Sequence, residues 1–173
     1  MTIECRVFTH QELLTHMDAF AELLCDAVNN GASVNFVAPM SPPDAIPFWQ
    51  KVAAAVESGD TILLAALEDE EIVGTVMIVP AWQPNAPHRA EIQKLLVHSS
   101  KQRRGIASHL MHAAEEVALA NGRWLLFLDT FSGSGAALFY ERIGYTRGGI
   151  IAMHSLNAKA EFADTVIFYK ILK

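Results

Sequence analysis

Apolar residues recur with helical spacing in the first part of the chain. Residues 9–12 (THQE) have the pattern of a capping box, and apolar residues follow at intervals of three or four up to Val28. The triplet NNG at 29–31 is typical of a helix end. A second helix is predicted from near Asp44, with Pro47 in its first turn, where a backbone N–H would have no partner in any case.

The other apolar runs are shorter, and each alternates or stays apolar throughout, which predicts strands. Strands are predicted at residues 3–8, 61–67, 72–79, 89–97, 124–129, 145–154 and 162–172. An acidic turn at 68–71 makes a hairpin of the second and third strands, and two further helices are predicted at 103–121 and 134–143. This order of elements predicts a single mixed α/β domain over residues 1–173, built around one sheet.

Composition narrows the class of protein. Of the 173 residues, 51% are hydrophobic and 18% are charged, which excludes a disordered tail or a collagen-like repeat. The net charge of −6 disfavours binding to a nucleic-acid backbone. No apolar run approaches the ~20 residues that span a bilayer. Cys5 and Cys25 lie among apolar residues and are expected to be buried thiols in a reducing compartment, so we expect a cytoplasmic protein without nucleic-acid or membrane partners.

The segment from residue 91 to 110 carries the clearest chemical signal. A strand leads into a polar loop, and the loop opens a helix at Gly105, where the first N–H groups have no helical partner and the helix dipole is positive. Gly105 and Ala107 are small enough for a ligand to approach the backbone. Basic residues add positive charge: Lys101, Arg103 and Arg104. This pattern indicates a phosphate or pyrophosphate site, although a solvated basic helix start has the same pattern.

Two motifs resemble those of the GCN5-related N-acetyltransferase (GNAT) family. Residues 102–107 (QRRGIA) resemble its Q/R-x-x-G-x-G/A signature, and 136–145 (AALFYERIGY) are similar to its A-x-x-x-Y-x-x-x-G-[FY] element. The strand AEIQKLLV resembles the cofactor strand of the family, and the order of elements also matches. Within the family, segments near Gly31, Gln93, Leu128 and Phe139 look like those of tabtoxin-resistance acetyltransferases.

The resemblance implies an α/β fold whose mostly antiparallel central sheet splays apart at the cofactor strands and is flanked by helices. It implies acetyl-CoA in that cleft, with the pantetheine arm along the backbone of Leu95 and Val97, and with an N–H of Leu95 or Leu96 available to an oxyanion. The implied pyrophosphate ligands are the backbone N–H groups of Gln102, Arg103, Arg104, Gly105, Ile106, Ala107 and Ser108. Gly133 stands where the family often has Asn, which leaves one pantetheine contact in question.

Acetylation of an amine needs a base, because an alkylammonium with a pKa near ~10.4 is not nucleophilic, and it is helped by an acid beside the leaving thiolate. The resemblance implies Tyr140 as that acid, whereas a core tyrosine is the alternative. Glu91 stands where some family members carry a catalytic glutamate, although a charged residue at this place can simply face water. Asp129 could act as base, bind the substrate or cap the following turn.

The predicted activity is therefore direct acetyl transfer from acetyl-CoA to a primary amine of a small molecule, such as an amino-acid-like metabolite, toxin or antibiotic. Ser33 and Phe36, in an apolar loop at 31–41, are candidate acceptor contacts together with Asp129, and core packing is their alternative role. No metal is expected, because His109 and His112 lack a third ligand at suitable spacing. The alternatives are a protein or peptide N-acetyltransferase and a non-catalytic acyl-CoA-binding module, and the chain could be a monomer or a homodimer.

Overall fold

The computed structural model describes residues 3–32 and 34–172. Its helices are α1 (His10–Thr15), α2 (Met17–Asn29), α3 (Pro42–Ser58), α4 (Ile106–Ala120) and α5 (Gly135–Arg142). Its strands are β1 (Ile3–Phe8), β2 (Ile62–Glu68), β3 (Glu71–Pro80), β4 (Arg89–Val97), β5 (Leu125–Phe131), β6 (Thr146–Leu156) and β7 (Phe162–Ile171). A 3-10 turn at Ser99–Lys101 follows β4. The predicted mixed α/β class is confirmed.

The strands form one sheet in the order β1-β2-β3-β4-β5-β7-β6. β4 and β5 run parallel, and the other neighbouring pairs are antiparallel. A parallel pair needs a crossover connection, which α4 provides here. The prediction of a mostly antiparallel sheet flanked by helices is therefore correct, and its parallel pair lies near the middle.

Apolar side chains cover both faces of the sheet. On one face, α1, α2 and α3 pack through fully buried aromatic residues, and the rings of Phe20 and Trp49 lie 4.9 Å apart. On the other face, α4 and α5 pack against the sheet around Leu110. β2 supplies both layers because its side chains alternate, with Leu63 in the first layer and Leu64 in the second.

The N-terminal helical segment is divided in two. The capping box is confirmed, because the N–H of Glu12 donates to the Thr9 hydroxyl at 3.2 Å and the Glu12 carboxylate accepts from the N–H of Thr9 at 2.8 Å. The prediction of one continuous helix up to Val28 is wrong. The backbone leaves helical geometry at His16 (φ −105°, ψ 22°), whose ring packs edge-on against Phe8.

α3 begins at Pro42, two residues earlier than predicted. Ser41 is its N-cap, and Asp44 at the third helical position completes a second capping box. Pro42 occupies the first helical position, where the missing N–H costs nothing. Pro47 therefore lies inside the helix, and its assignment to the first turn is wrong.

Exposure differs from expectation at Cys5. Cys25 is buried, but Cys5 is only half-buried because β1 is an edge strand of the sheet. Burial raises the pKa of both thiols. Trp82 is 85% exposed and takes no part in the core. Within the described residues, no helix combines the length and apolar character needed to cross a membrane.

Candidate active site

The two parallel strands separate soon after they meet. Pairing of β4 with β5 begins at Arg89 and ends with Glu91 opposite Phe127. Both strands continue beyond this point, to Val97 and Phe131, without further pairing among the described residues. The gap leads into two adjoining cavities of about 160 Å³ and 380 Å³, called here the smaller and the larger cavity, which share part of their lining. A splayed cleft is therefore present where the sequence predicted one.

Two carboxylates fix the loop between β4 and α4. Asp26 on α2 accepts hydrogen bonds from the backbone N–H and the hydroxyl of Ser99, both at 2.7 Å. Glu68 at the end of β2 is buried, accepts two hydrogen bonds from Arg104 and lies 2.5 Å from Nζ of Lys101. The hydrogen bonds from Arg104 and Lys101 hold the pKa of Glu68 at about 2, below its ordinary value of 4.5. The loop is therefore anchored at both ends.

The same ion pairs change the expected role of the basic residues. Lys101 and Arg104 share their charge with Glu68, whereas Arg103 is exposed and takes φ +60°. The positive potential at this loop therefore comes largely from backbone N–H groups and the dipole of α4.

The N–H groups at the start of α4 are free donors. From residue 103 to 108, no backbone N–H has a hydrogen-bond partner in the part of the chain that the structure describes, and the first paired one is His109, which donates to the carbonyl of Gly105 at 3.1 Å. Gly105 is the N-cap with φ +82°. Such an array of donors at the positive end of a helix can hold a diphosphate. Gln102 differs, because its N–H lies 3.5 Å from the Ser99 carbonyl and its side chain donates to the Val97 carbonyl at 3.3 Å.

The end of β4 lines the larger cavity with Leu95, Leu96 and Val97. His98 donates its backbone N–H to Val73 on β3, so the alternation of an antiparallel ladder turns the backbone of Leu96 toward β3. Leu95 and Val97 then direct their backbone groups toward the open gap. A pantetheine arm could pair there, apart from the Val97 carbonyl that Gln102 occupies.

Three candidate catalytic residues line the smaller cavity together: Glu91, Asp129 and Tyr140. Burial raises the pKa of Glu91, and the charge of Asp129 raises it further against the hydrogen bond from Gln93 and the charge of Lys94. Asp129 is exposed. The cavity therefore contains one carboxyl group that is harder to ionise than usual beside a second that faces solvent.

Tyr140 lies on α5 and is only 7% exposed. Its ring packs 5.8 Å from Tyr145 and 5.9 Å from Phe168, and its hydroxyl makes no hydrogen bond with the described residues. Burial, with a contribution from Asp129, raises its pKa, so the hydroxyl stays protonated at neutral pH. Within the motif at 136–145, Tyr140 thus lines the cavity although most of its side chain is buried.

The loop between α2 and α3 forms the wall opposite these residues. Ala32, Val34 and Asn35 line the smaller cavity, and the loop is held by a bond from the N–H of Ala38 to the carbonyl of Ala158 between β6 and β7. Ser33, a candidate acceptor contact, lies outside the described residues.

Phe36, the other candidate acceptor contact of this loop, packs its ring 5.4 Å from that of Phe48 and is not among the residues that line the smaller cavity. Trp49 and Met40, also near this loop, are buried in the core. The loop at 80–88 does not line either cavity.

Sequence reasoning missed Lys94 and Glu68. Lys94 lines the smaller cavity, whereas the sequence motif indicates only that it belongs to the cofactor strand. The sequence pattern places Glu68 in an acidic turn, but the structure buries it under the loop. A charged residue inside an otherwise apolar strand is the signal that could have found Lys94.

A comparison with models of known protein families identifies the family to which this chain belongs. The sequence model of the acetyltransferase (GNAT) family matches residues 19–145, which is most of the chain. The chain belongs to the GNAT family. This membership makes it an acetyl-CoA-dependent acyltransferase, and the two sequence motifs, the splayed strands and the free N–H groups all lie within or beside the matched region.

Solved structures with the GNAT fold superpose along the whole chain. The candidate acetyltransferase yncA from Salmonella typhimurium, solved with its cofactor acetyl-CoA, has a TM-score of 0.80 at 14% identity, covering 100% of this chain and 95% of that one. Ribosomal-protein-alanine N-acetyltransferase from Brucella melitensis has a TM-score of 0.77 at 20% identity, with 98% and 99% covered. A candidate phosphinothricin N-acetyltransferase has a TM-score of 0.79 at 16% identity, with 99% of both covered. Identities this low show the fold alone.

Substitution of Gly105 tests whether the loop before α4 binds acetyl-CoA, and Gly122 serves as the matched control. Gly105 and Gly122 flank the same helix with φ +82° and +74°, and a Cβ would find nothing closer than 3.9 Å at either, so alanine adds mainly backbone strain of ~1 kcal/mol. We expect Gly105→Ala to weaken acetyl-CoA binding several-fold or more and Gly122→Ala to leave it unchanged, measured by calorimetry. Equal affinities in the two variants would contradict the loop assignment.

Proposed function

We propose that this protein transfers the acetyl group of acetyl-CoA directly to the primary amine of a small amino-acid-like molecule. The observation that carries the proposal is the convergence of Glu91, Asp129 and Tyr140 on one cavity of about 160 Å³, which shares part of its lining with the larger cavity beside the end of β4. A binding module would need only the larger cavity and the free N–H groups of residues 103–108.

Cofactor binding uses the backbone in this proposal. The N–H groups of residues 103–108 donate to the diphosphate, and Leu95 and Val97 pair with the pantetheine arm as an added strand would. The thioester then lies at the junction of the two cavities. Of the two N–H groups expected from the sequence to stabilise the oxyanion of the tetrahedral intermediate, that of Leu95 faces the open gap and is the candidate, whereas the backbone of Leu96 turns toward β3.

Glu91 accepts the proton that the acceptor ammonium must lose. Its raised pKa, which burial causes, brings this carboxylate closer to the basicity of an amine than an exposed glutamate would be. Asp129, exposed at the cavity mouth, attracts the ammonium and raises the pKa of Glu91 through its charge. The neutral amine then attacks the thioester carbonyl, which forms the C–N bond and the tetrahedral intermediate, and collapse of that intermediate breaks the C–S bond.

Tyr140 donates a hydrogen bond to the departing sulfur. Its raised pKa keeps the hydroxyl protonated, yet makes complete proton transfer to a thiolate, whose thiol has a pKa near ~8.5, unfavourable. The donor therefore stabilises negative charge on sulfur. The proton that Glu91 took from the ammonium leaves to solvent, and the second proton, which the nitrogen loses as the amide forms, ends on the thiolate sulfur. The products are an N-acetylated acceptor and free coenzyme A.

Three observations support a small acceptor. The smaller cavity is bounded by Ala32, Val34 and Asn35 of the loop between α2 and α3, and Ala38 of that loop is bonded to Ala158 in the turn between β6 and β7. The sequence resembles tabtoxin-resistance acetyltransferases, and one structural neighbour carries the name of a phosphinothricin N-acetyltransferase. The neighbour named for a ribosomal-protein alanine keeps a protein acceptor as the second candidate.

Thiol release tests the proposed function. Acetyl-CoA is incubated with a panel of small primary amines and with peptides that have free N-termini, and free thiol is measured. We expect turnover with at least one small amine and none with peptides. Turnover with peptides alone would favour the protein acceptor, and acetyl-CoA binding without turnover on any amine would favour the binding module.

A further inference from the structure

A positively charged residue, Lys94, lines the smaller cavity at a point where the pairing of β4 with β3 is irregular. Thr75 pairs with Leu96 and Met77 with Gln93, so Lys94 and Leu95 together oppose one residue of β3 in a β-bulge. Lys94 takes φ +50°, a conformation that is strained for a lysine. A regular strand would point Lys94 to the face opposite Glu91, whereas the bulge brings both side chains to the same cavity.

The Lys94 ammonium rests on aromatic faces. Nζ lies 5.6 Å from the ring centroid of Phe36 and 5.3 Å from that of Phe48, within the range of cation–π attraction. The side chain is half-buried, and no carboxylate among the described residues lies within 4.0 Å of Nζ. Burial lowers the pKa of Lys94, against the opposing charges of Asp129 and Glu91.

The other half-buried lysines of the described chain are paired. Lys101 lies 2.5 Å from the Glu68 carboxylate, and Lys170 lies 2.8 Å from both oxygens of Glu115. Taking an ammonium out of water without an anion is unfavourable, so an unpaired one in a cavity indicates that the anion arrives with a ligand.

Neutralising Glu91 and Asp129 would be another role for Lys94. That role would bring Nζ within ion-pair distance of one of them, and it would hold the pKa of Glu91 down. Neither is the case, because Lys94 is the weakest of the influences on Glu91, whose pKa is raised. The lining of the cavity therefore includes two carboxylates and, more than 4.0 Å from both, an ammonium that rests on aromatic rings.

We propose that Lys94 binds a carboxylate of the acceptor, so that the enzyme acetylates free amino acids or closely related amino carboxylates. This inference rests on the proposed function. The acceptor amine lies toward Glu91 and Asp129, and its carboxylate lies toward Lys94. A peptide N-terminus has an uncharged amide in place of that carboxylate, so it offers no negative charge to Lys94 and is excluded as an acceptor.

Matched acceptors test the proposal. A panel of α-, β- and γ-amino acids is compared with the corresponding carboxamides, using kcat/KM from thiol release with the wild type, Lys94→Met, Lys94→Arg and the exposed-lysine control Lys51→Met. An amino acid and its amide differ in amine pKa, but this difference cancels when the preference ratio of a variant is divided by that of the wild type.

The wild type is expected to prefer its best amino acid, and Lys94→Met is expected to lower the amino-acid-to-amide ratio by about 10- to 100-fold, as the loss of a charge-assisted contact predicts. Lys94→Arg should retain part of the preference, Lys51→Met should retain all of it, and acetyl-CoA affinity should be unchanged in all three. Turnover of carboxamides with an unchanged ratio in Lys94→Met would overturn this inference and leave the proposed function standing. Absence of turnover on every amine would remove both.

Discussion

Replacing Tyr140 by phenylalanine is expected to lower kcat by about 10²- to 10³-fold, the range for loss of a donor aimed at developing charge. Tyr140 lines the smaller cavity and its hydroxyl makes no hydrogen bond with the described residues, so removal of the hydroxyl leaves no buried group unpaired. The ring contacts with Tyr145 and Phe168 are retained in phenylalanine. Thermal stability and acetyl-CoA affinity should therefore remain near those of the wild type.

The matched control for this substitution is Tyr145→Phe. Tyr145 belongs to the same motif and is equally buried, but it does not line either cavity. Its variant should retain full kcat. Steady-state kinetics at saturating acetyl-CoA separates the two, and a Tyr140→Phe enzyme with the kcat of the wild type would remove Tyr140 from the chemistry.

The wild-type pH profile gives a second check on Tyr140. Burial raises its pKa above the ordinary 10.0, so the donor is lost only at pH values above 10. Activity should show no decline caused by tyrosine ionisation at lower pH. A fall in kcat between pH 8 and about 10 that disappears in Tyr140→Phe would contradict the raised pKa of Tyr140.

Replacing Glu91 by glutamine is expected to lower kcat/KM by about 10²- to 10⁴-fold, the range for loss of a general base. Glu91 must be ionised to accept a proton, and burial raises its pKa above the ordinary 4.5. Wild-type kcat/KM should therefore rise with pH through this raised pKa. In Glu91→Gln that rise should vanish, leaving only the dependence on the ionisation of the amine itself.

Asp129→Asn distinguishes the two carboxylates. The charge of Asp129 helps to raise the pKa of Glu91, so its removal should move the low-pH rise of the profile to lower pH and weaken acceptor binding. Glu70→Gln, in the exposed turn between β2 and β3, should leave the profile unchanged. Complete loss of the rise in Asp129→Asn, with the rise intact in Glu91→Gln, would transfer the role of base to Asp129.

Local sequence chemistry was sufficient to predict most of the fold. Residues 9–12 carry their own capping groups, and the glycine at 105 adopts the positive φ that ends one loop and begins a helix. The family resemblance predicts the splayed cleft, because the two motifs follow β4 and β5, which are neighbouring strands of the sheet. These features depend on residues close in sequence, or on a pattern that is already known.

The predictions that were wrong or incomplete concern features that depend on residues far away in the sequence or on an unrecognised cap. Glu68 belongs to a hairpin by its local sequence, yet Lys101 and Arg104, more than thirty residues later, determine that it is buried. Lys94 points into the cavity because of a bulge that only the pairing of β4 with β3 produces. Pro47 was placed in the first turn of α3 because Ser41 and Asp44 were not identified as its cap. The alternation of apolar and polar residues and the propensities of single residues do not predict such long-range effects.

A structure of the protein with coenzyme A bound tests the central claim most directly. The account predicts the diphosphate on the N–H groups of residues 103–108, the pantetheine arm beside Leu95 and Val97, and the sulfur within hydrogen-bond distance of the Tyr140 hydroxyl. A bound molecule whose diphosphate lies elsewhere, or whose sulfur points away from the cavity that Glu91 and Tyr140 line, would contradict it.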